Sequence, residues 1–168
     1  MLIAIDHGNY DIKTPHHSFM AGLAEHSVRP PMADEVLEYG GSYWTLSGKR
    51  LSYRRDKTRD ESYFILSLFA IAREMVLAAK TGAVERVHLA VGLPPEHYSI
   101  LKDKFTQYFK RSESIHFIYN DKPLLSYFMD YRDSDIARLL KITSPTVSYR
   151  KKQALIQLKL LLEAKHYE

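Results

Sequence analysis

Four residues near the start of the chain, Asp6, Gly8, Asn9 and Lys13, have types and a spacing that suit phosphate binding. They follow a short apolar segment, Leu2 to Ile5, which predicts a buried strand. Glycine and asparagine tolerate positive φ, so Gly8 and Asn9 predict a tight hairpin after that strand. The amides of the turn could then face a phosphate that Lys13 neutralises, and Asp6 could hold Mg²⁺ through water. The alternative is an ordinary hairpin with incidental charges.

A second set of residues, near the other end of the chain, has the pattern of a DNA-binding helix. Asp133 predicts the N-cap of one helix, and Ser144 with Pro145 predicts the start of the next, after a short turn at 141–143. Small hydroxyl side chains at the beginning of a recognition helix suit base edges, and the cations that follow suit phosphates. The predicted DNA-binding residues are Ser144, Thr146, Ser148, Tyr149, Arg150, Lys151 and Lys152.

The distribution of charge favours the same surface. The formal net charge is +4, and residues 132–168 hold eight basic residues against four acidic ones. Residues 1–131 hold as many Lys and Arg as Asp and Glu, so the whole excess lies where contact with phosphates would need it. The alternative is a helical hairpin that packs normally and exposes a solvated basic face.

This end of the chain resembles region 4 of sigma-70-type factors and the related small helix-turn-helix proteins of bacterial mobile elements. The matching residues are Asp135, Ile136, Ala137, Leu140, Ile142, Val147 to Arg150, Ala154, Leu155 and Leu158. The resemblance covers about residues 124–163 and implies duplex DNA as a partner, RNA polymerase as a further partner, and a role in transcription regulation. Lys141 stands where the family usually has glycine, which costs the turn about 1 kcal/mol.

The segments that must position the first set of residues alternate between strands and helices. Glu38 to Trp44 predicts a second hairpin, and the capping box Thr58 to Glu61 opens a long helix that ends at Gly82. The apolar stripe of that helix is Ile65, Leu68, Phe69, Ala72, Met75, Val76 and Ala79, with further apolar residues beside it. A buried strand at 87–91, a turn at 92–95, a helix at 96–109 and a strand at 115–119 follow.

In this order the segments resemble the first part of a bacterial actin-like protein of the plasmid-segregation type, ParM/StbA. The matches are Asp6-x-Gly8-Asn9-x-x-x-Lys13, then Lys57-Thr58 with Glu61-Ser62-Tyr63-Phe64, and Val91-Gly92-Leu93-Pro94-Pro95. The resemblance covers about residues 1–122 and implies an actin-like, ribonuclease H-like domain. It also implies that Asp6, Gly8, Asn9 and Lys13 lie in the first phosphate loop of an ATP site.

The chain departs from this family after Asn120-Asp121. An actin-like ATPase also needs a second phosphate loop and an adenosine pocket, and the residues that follow match neither. His7 is a bulky, polar residue inside the first loop. Phosphates without a second wall stay in water, where one lysine and a few amides contribute little. We therefore expect no useful ATP hydrolysis and no cofactor for this chain alone, with ATP and Mg²⁺ bound only if a second domain completes the site.

Composition excludes several other classes of protein. There is no cysteine, so disulfides and thiolate metal sites are excluded, and the eight histidines lack a ligand spacing that predicts a metal site. No apolar run is long enough to span a bilayer, and a charge comes too soon after Met1 for a signal peptide. These features predict a cytoplasmic protein without a membrane partner.

We therefore expect an α/β actin-like domain at residues 1–122, apparently incomplete, followed by a small all-α helix-turn-helix domain at 123–168. The function expected first is that of a DNA-binding protein of a plasmid or mobile element, with the front half as a scaffold or a self-association surface. One alternative is a filament-forming actin-like ATPase subunit, completed by another actin-like chain and tethered to DNA by its tail. Another is a fusion of two neighbouring genes in which only the tail still works.

Overall fold

The computed structural model describes residues 1–80, 84–93, 95–111, 114–128 and residue 145. The chain divides into two compact units, Met1–Met129 and Asp130–Glu168, and the helices and strands of the described ranges lie in the first. In the described ranges its elements are β1 (Leu2–His7), β2 (Asp11–Lys13), β3 (Ser18–Met20), β4 (Leu23–His26), β5 (Leu37–Tyr39), β6 (Ser42–Leu46), α1 (Ser62–Leu77), β7 (Val84–Val91), α2 (Pro95–Phe109), β8 (Ile115–Tyr119) and β9 (Lys122–Phe128). The predicted α/β class of this unit is confirmed.

The strands of the described part form one mixed sheet, in the order β3-β2-β1-β7-β9-β8-β5-β6-β4. The strands β1, β2 and β3 are antiparallel, and β7 lies parallel to both β1 and β9. Along β1 the buried residues alternate with exposed ones, so Leu2, expected in a wholly buried strand, is 74% exposed. The two predicted hairpins are present. Gly40 and Gly41, both with positive φ, form the turn between β5 and β6.

Helix α1 forms the centre of the hydrophobic core. Every residue from Tyr63 to Ala72 is buried: the helix packs against β1, β2 and β5, and Phe64 in its first turn contacts Tyr108 and Phe109 of α2. The prediction that this helix is buried on more than one side is confirmed. It ends at Leu77, earlier than predicted, so Val76 is 40% exposed and Ala79 lies beyond the helix. Gly82 lies outside the described residues.

The predicted capping box at the start of α1 is wrong. The helix begins at Ser62, and the hydroxyl of Thr58 donates to Asp56 instead of capping it. The helix amides are satisfied in two other ways: Asp60 Oδ1 accepts from the amide of Ser62 at 2.9 Å, and Tyr108 Oη of α2 accepts from the amide of Phe64 at 2.8 Å. A residue distant in sequence therefore completes the first turn of the helix.

The predicted boundary between residues 122 and 123 falls inside a hairpin. Asn120 and Asp121, both with positive φ, form the turn between β8 and β9, and β9 runs from Lys122 to Phe128 across the predicted boundary. The expectation of helix directly after Leu124 is therefore wrong for these residues, and the first unit extends to Met129. No helix of the described part of the chain is long and apolar enough to cross a membrane.

Candidate functional site

The hairpin between β1 and β2 brings the four predicted phosphate-loop residues together. Asp6 on β1 pairs in register with Lys13 on β2, and both side chains are exposed. Gly8 and Asn9 form its tip. A Cβ atom on Gly8 would lie only 2.5 Å from the carbonyl oxygen of Asp11, so the backbone approaches too closely there for any residue but glycine. The predicted hairpin is thus present, but the reason given for it is wrong: neither Gly8 nor Asn9 has a positive φ, and the close approach of the backbone is what requires the glycine.

His7 lies inside this hairpin, but its side chain points away from the exposed tip and is buried against α1. Its Nε2 atom lies 2.6 Å from Ser67 Oγ, and the ring packs against Phe105 and Phe109 of α2. Burial, with a smaller contribution from the charge of Lys57, lowers the pKa of His7 to about 3. His7 is therefore a neutral core residue, which explains how a bulky polar side chain fits in this loop.

Lys57 joins the hairpin to the segment that precedes α1. Its ammonium group donates to the carbonyl oxygen of His7 and lies 5.2 Å from the centre of the Tyr63 ring. The hydroxyl of Tyr63 in turn lies 3.4 Å from Asn9 Oδ1. Burial lowers the pKa of Lys57, and the nearby charge of Asp6 opposes that effect. The half-buried ammonium group of Lys57 thus lies beside the backbone of the hairpin, at the residue before Gly8.

The turn after β7 lies at the same edge of the sheet as the hairpin. Because β1 and β7 are parallel, with Ile5 in register with Val91, their carboxyl ends reach this edge together. Gly92 and Leu93 follow, as the predicted turn required, and Pro94 lies outside the described residues. Ligands of open α/β sheets bind at the carboxyl ends of parallel strands, so this edge is where a candidate binding site is expected.

A cleft opens between these loops. The hairpin contributes Asn9 and the β7 turn contributes Gly92 and Leu93, while α2 contributes the apolar residues Leu101 and Phe105. The remaining residues come from the segment before α1 and are Tyr53, Arg54, Arg55 and Lys57. Three of these carry positive charge, so the cleft suits an anion.

Two carboxylates near the cleft are already paired with cations. Asp60 accepts from Arg54, and Asp56 accepts from Lys104 of α2 at 2.5 Å and from Thr58. The bond from Lys104 is the largest cause of the lowered pKa of Asp56, which is about 2. These acids therefore offset part of the positive charge without occupying the cleft.

The sequence predictions and the cleft agree only in part. Of the four predicted residues, Asn9 lines the cleft, whereas Asp6, Gly8 and Lys13 do not. The cleft cations were not among the predicted site residues, although the basic run from Lys49 to Arg59 was a visible signal. Among the described residues no group of three His, Asp or Glu side chains could hold a metal ion. The predicted DNA-binding residues Ser144, Thr146, Ser148, Tyr149, Arg150, Lys151 and Lys152 lie outside the described residues.

Several solved structures are similar to this chain. The AlfA filament bound to AMPPNP has a TM-score of 0.57 and 19% identity, over 77% of this chain and 52% of AlfA. The apo ParM protein of pSK41 has a TM-score of 0.58 and 15% identity, over 76% of this chain and 46% of that protein. The described part has an actin-like fold.

A third structure extends the comparison beyond plasmid proteins. The archaeal actin homologue Ta0583 has a TM-score of 0.56 and 14% identity, over 76% of this chain and 43% of Ta0583. The chain therefore spans about half the length of these actin-like proteins or less. The actin-like fold expected from the sequence is confirmed at this level of similarity. No protein-family model matches the chain, and no curated protein matches it.

Proposed function

We propose that this chain is a nucleotide-binding, actin-like subunit of the plasmid-segregation type, whose nucleotide site is completed by another chain or half. The observation that carries the proposal is the cationic cleft beside the Asp6 to Lys13 hairpin, at the carboxyl ends of β1 and β7. The similarity to AlfA and ParM supports the same function, and AlfA was solved as a filament with a nucleotide analogue. The sequence alone favoured DNA binding as the main function, and the fold now favours this alternative.

The described cleft would form one wall of such a site. The match spans only 52% of AlfA and 46% of the pSK41 ParM protein, and we propose that the second phosphate loop and the adenosine pocket come from another polypeptide segment or chain. This chain alone would then bind nucleotide weakly and hydrolyse it at no useful rate, since phosphates facing water gain little from fixed charges. Its further partners would be a second copy or another actin-like chain.

Magnesium fits this proposal only in an indirect role. Asp6 is exposed at the hairpin, and the described residues provide no cluster of acidic ligands around it. Mg²⁺ commonly keeps several waters and binds through one or two carboxylates together with substrate phosphates. Asp6 would therefore contact the ion through water, and the phosphates of the nucleotide would supply its other ligands.

An NMR titration of the isotopically labelled full chain with ATP, with and without Mg²⁺, tests the proposal. We expect saturable shifts at millimolar concentrations for the amides of Gly8, Asn9 and Gly92. Asp6→Asn should weaken binding of Mg·ATP more than binding of metal-free ATP, whereas Asp34→Asn, a change in an exposed loop, should affect neither. Absence of saturable shifts at these three amides would refute the proposed site.

A second candidate function is DNA binding by the tail. The observation in its favour is the location of the entire net charge of +4 in residues 132–168, together with the hydroxyl and cationic side chains from Ser144 to Lys152. The two functions are compatible, since a DNA-bound tail would attach an actin-like unit to the plasmid. Salt-dependent binding of duplex DNA by variants of Arg150, Lys151 and Lys152 tests this candidate.

A further inference from the structure

The lysine that lines the cleft is Lys57, whereas the sequence predicted Lys13 as the lysine that binds phosphate. Lys13 lies on β2, is exposed and does not line the cleft. Lys57 lines the cleft, is half-buried and is joined to the hairpin through the carbonyl oxygen of His7. The interaction of a charge with an anion is stronger where protein replaces water, so Lys57 has the better position.

The ammonium group of Lys57 has the donors that a second partner needs. An ammonium carries three N–H donors, and the bond to the His7 carbonyl uses one of them. The neighbouring side chain of His7 is neutral, so it offers no positive charge of its own to the cleft. An anion bound here would offset the desolvation that lowers the pKa of Lys57.

The other walls complete a site for an extended anion. Arg54 and Arg55 also line the cleft and belong to the same segment before α1 as Lys57. An ion pair with Asp60 orients Arg54. The side chain of Asn9 and the backbone of Gly92 lie at the hairpin and at the β7 turn. Leu101 contributes apolar surface, which limits the water that would otherwise screen the charges.

We infer that this cleft binds a polyphosphate chain and that Lys57, with Arg54 and Arg55, holds its phosphate groups in place of Lys13. The inference rests on the proposed function and specifies which cations of the chain perform it. The ligand class is a linear polyphosphate anion, carried by a nucleoside triphosphate or present as inorganic tripolyphosphate. Because the three cations belong to the segment between β6 and α1, binding would also fasten that segment to the hairpin.

The test uses two probes, ATP and inorganic tripolyphosphate, titrated into the labelled full chain and four variants of it. Lys57→Gln and Arg55→Gln should each weaken both probes about tenfold, as expected for the loss of a charge-assisted hydrogen bond. Lys49→Gln removes a cation of the same basic run outside the cleft and should change affinity less than about twofold. Lys13→Gln should cause a smaller loss than Lys57→Gln.

The outcomes separate this inference from the proposed function. Binding of ATP that is lost in Lys13→Gln and retained in Lys57→Gln and Arg55→Gln would overturn the inference and leave the proposed function standing. Equal affinity in all four variants would identify non-specific attraction and would also overturn it. If the wild type binds neither probe at the Asn9 and Gly92 amides, both ideas fail. Arg55 is exposed, so its variant gives a result even if Lys57→Gln does not fold.

A preference between the probes identifies the source of the phosphate chain. Equal affinity for ATP and tripolyphosphate would support recognition of the phosphates alone, as the described walls of the cleft predict. Much tighter binding of ATP than of tripolyphosphate would show that the nucleoside contributes to affinity. The inference that the cleft cations dominate binding would then be wrong. Dispersed amide signals in each variant are the check that it has kept its fold.

Discussion

His7 Nε2 and Ser67 Oγ lie 2.6 Å apart in the core and join the end of β1 to the middle of α1. The hydroxyl of Ser67 donates to the carbonyl oxygen of Tyr63 at 2.7 Å, so its oxygen accepts from the Nε2–H group of His7. This bond sets the tautomer of the ring and leaves Nδ1 buried, with no hydrogen-bond partner in the described part of the chain. The hairpin of β1 and β2 is thus fastened to the central helix by a polar contact within an aromatic core.

Removing the acceptor of this bond should destabilise the chain. Ser67→Ala leaves the Nε2–H group of His7 buried without a partner, which costs about 1–3 kcal/mol of unfolding free energy. Urea unfolding of the full chain measures the difference. Ser52→Ala, at an exposed position in the segment before α1, is the matched control and should stay within about 0.5 kcal/mol of the wild type. Equal stability of the two variants would show that the bond contributes nothing net.

The stability of the first unit should fall as the pH falls, because of His7. Burial lowers its pKa from 6.5 to about 3, so between these values the unfolded chain binds a proton that the folded chain does not. The stability that the neutral His7 contributes is fully present above the unfolded pKa of 6.5 and is lost as the pH falls toward the folded pKa of about 3. The slope from this residue approaches about 1.4 kcal/mol per pH unit.

A comparison with His7→Phe isolates that slope. Phenylalanine keeps an aromatic ring among Phe105 and Phe109 and cannot titrate. Glu74, whose pKa is lowered, also loses stability at acid pH, but both proteins share this effect. Urea unfolding at several values between about pH 7 and about pH 4 should give a shallower pH dependence for the variant. Identical slopes would contradict a buried, neutral His7.

Tyr108 should stabilise the first turn of α1 from outside the helix. Its hydroxyl accepts from the amide of Phe64 at 2.8 Å and donates to the carbonyl oxygen of Asp60 at 2.7 Å, and burial raises its pKa to about 12. Tyr108→Phe removes both bonds and leaves a buried amide unpaired, which should cost about 1–3 kcal/mol. Tyr98→Phe, at a residue that is 53% exposed, serves as the control.

Hydrogen exchange gives an independent measurement of the same effect. The amide of Phe64 should exchange faster in Tyr108→Phe, whereas an amide bonded within the helix, such as that of Ile65, should change less. Unchanged protection of Phe64 would mean that another group caps the helix.

Local patterns predicted most elements of the first unit, and contacts distant in sequence account for the errors. The strand at Ile115–Tyr119 and the helix that ends at Phe109 follow from short-range periodicity, and both were predicted correctly. The start of α1 depends on Tyr108, which is distant in the chain, so a search for a local capping box selected Thr58 wrongly. No pattern within a few residues could reveal that contact.

The errors at β9 and in the cleft have related causes. The run from Leu124 to Phe128 is apolar and short, and such a run fits either a buried helix or a strand until its neighbours β7 and β8 are known. Lys57 was visible as part of a family match, but its contact with the His7 carbonyl exists only because β1 and the segment before α1 meet. The hairpin itself was predictable from the local sequence, although Gly8 is required by the approach of its backbone to Asp11 and not by a positive φ.

The tail remains a prediction, and its DNA binding can be tested through salt dependence. Replacing Arg150, Lys151 and Lys152 together by glutamine should weaken binding to every duplex. It should also flatten the dependence of affinity on salt, by about one unit of slope for each DNA phosphate that the variant no longer neutralises. Lys110→Gln removes an exposed cation from the end of the α2 region and should leave the slope unchanged. Fluorescence anisotropy of the full chain at two salt concentrations measures both quantities.

Sequence recognition requires a second comparison, because a solvated basic helix would also show salt-dependent binding. Thr146 and Ser148 are predicted to face base edges, so their alanine variants should change the preference for a selected site over random duplex while leaving the salt slope nearly constant. Phosphate contacts carry no sequence information, and base contacts release few counterions, so the two sets of variants should separate cleanly. A wild type that prefers no selected site would contradict the sigma-like interpretation, and one that binds no duplex at low salt would exclude DNA as a partner of the tail.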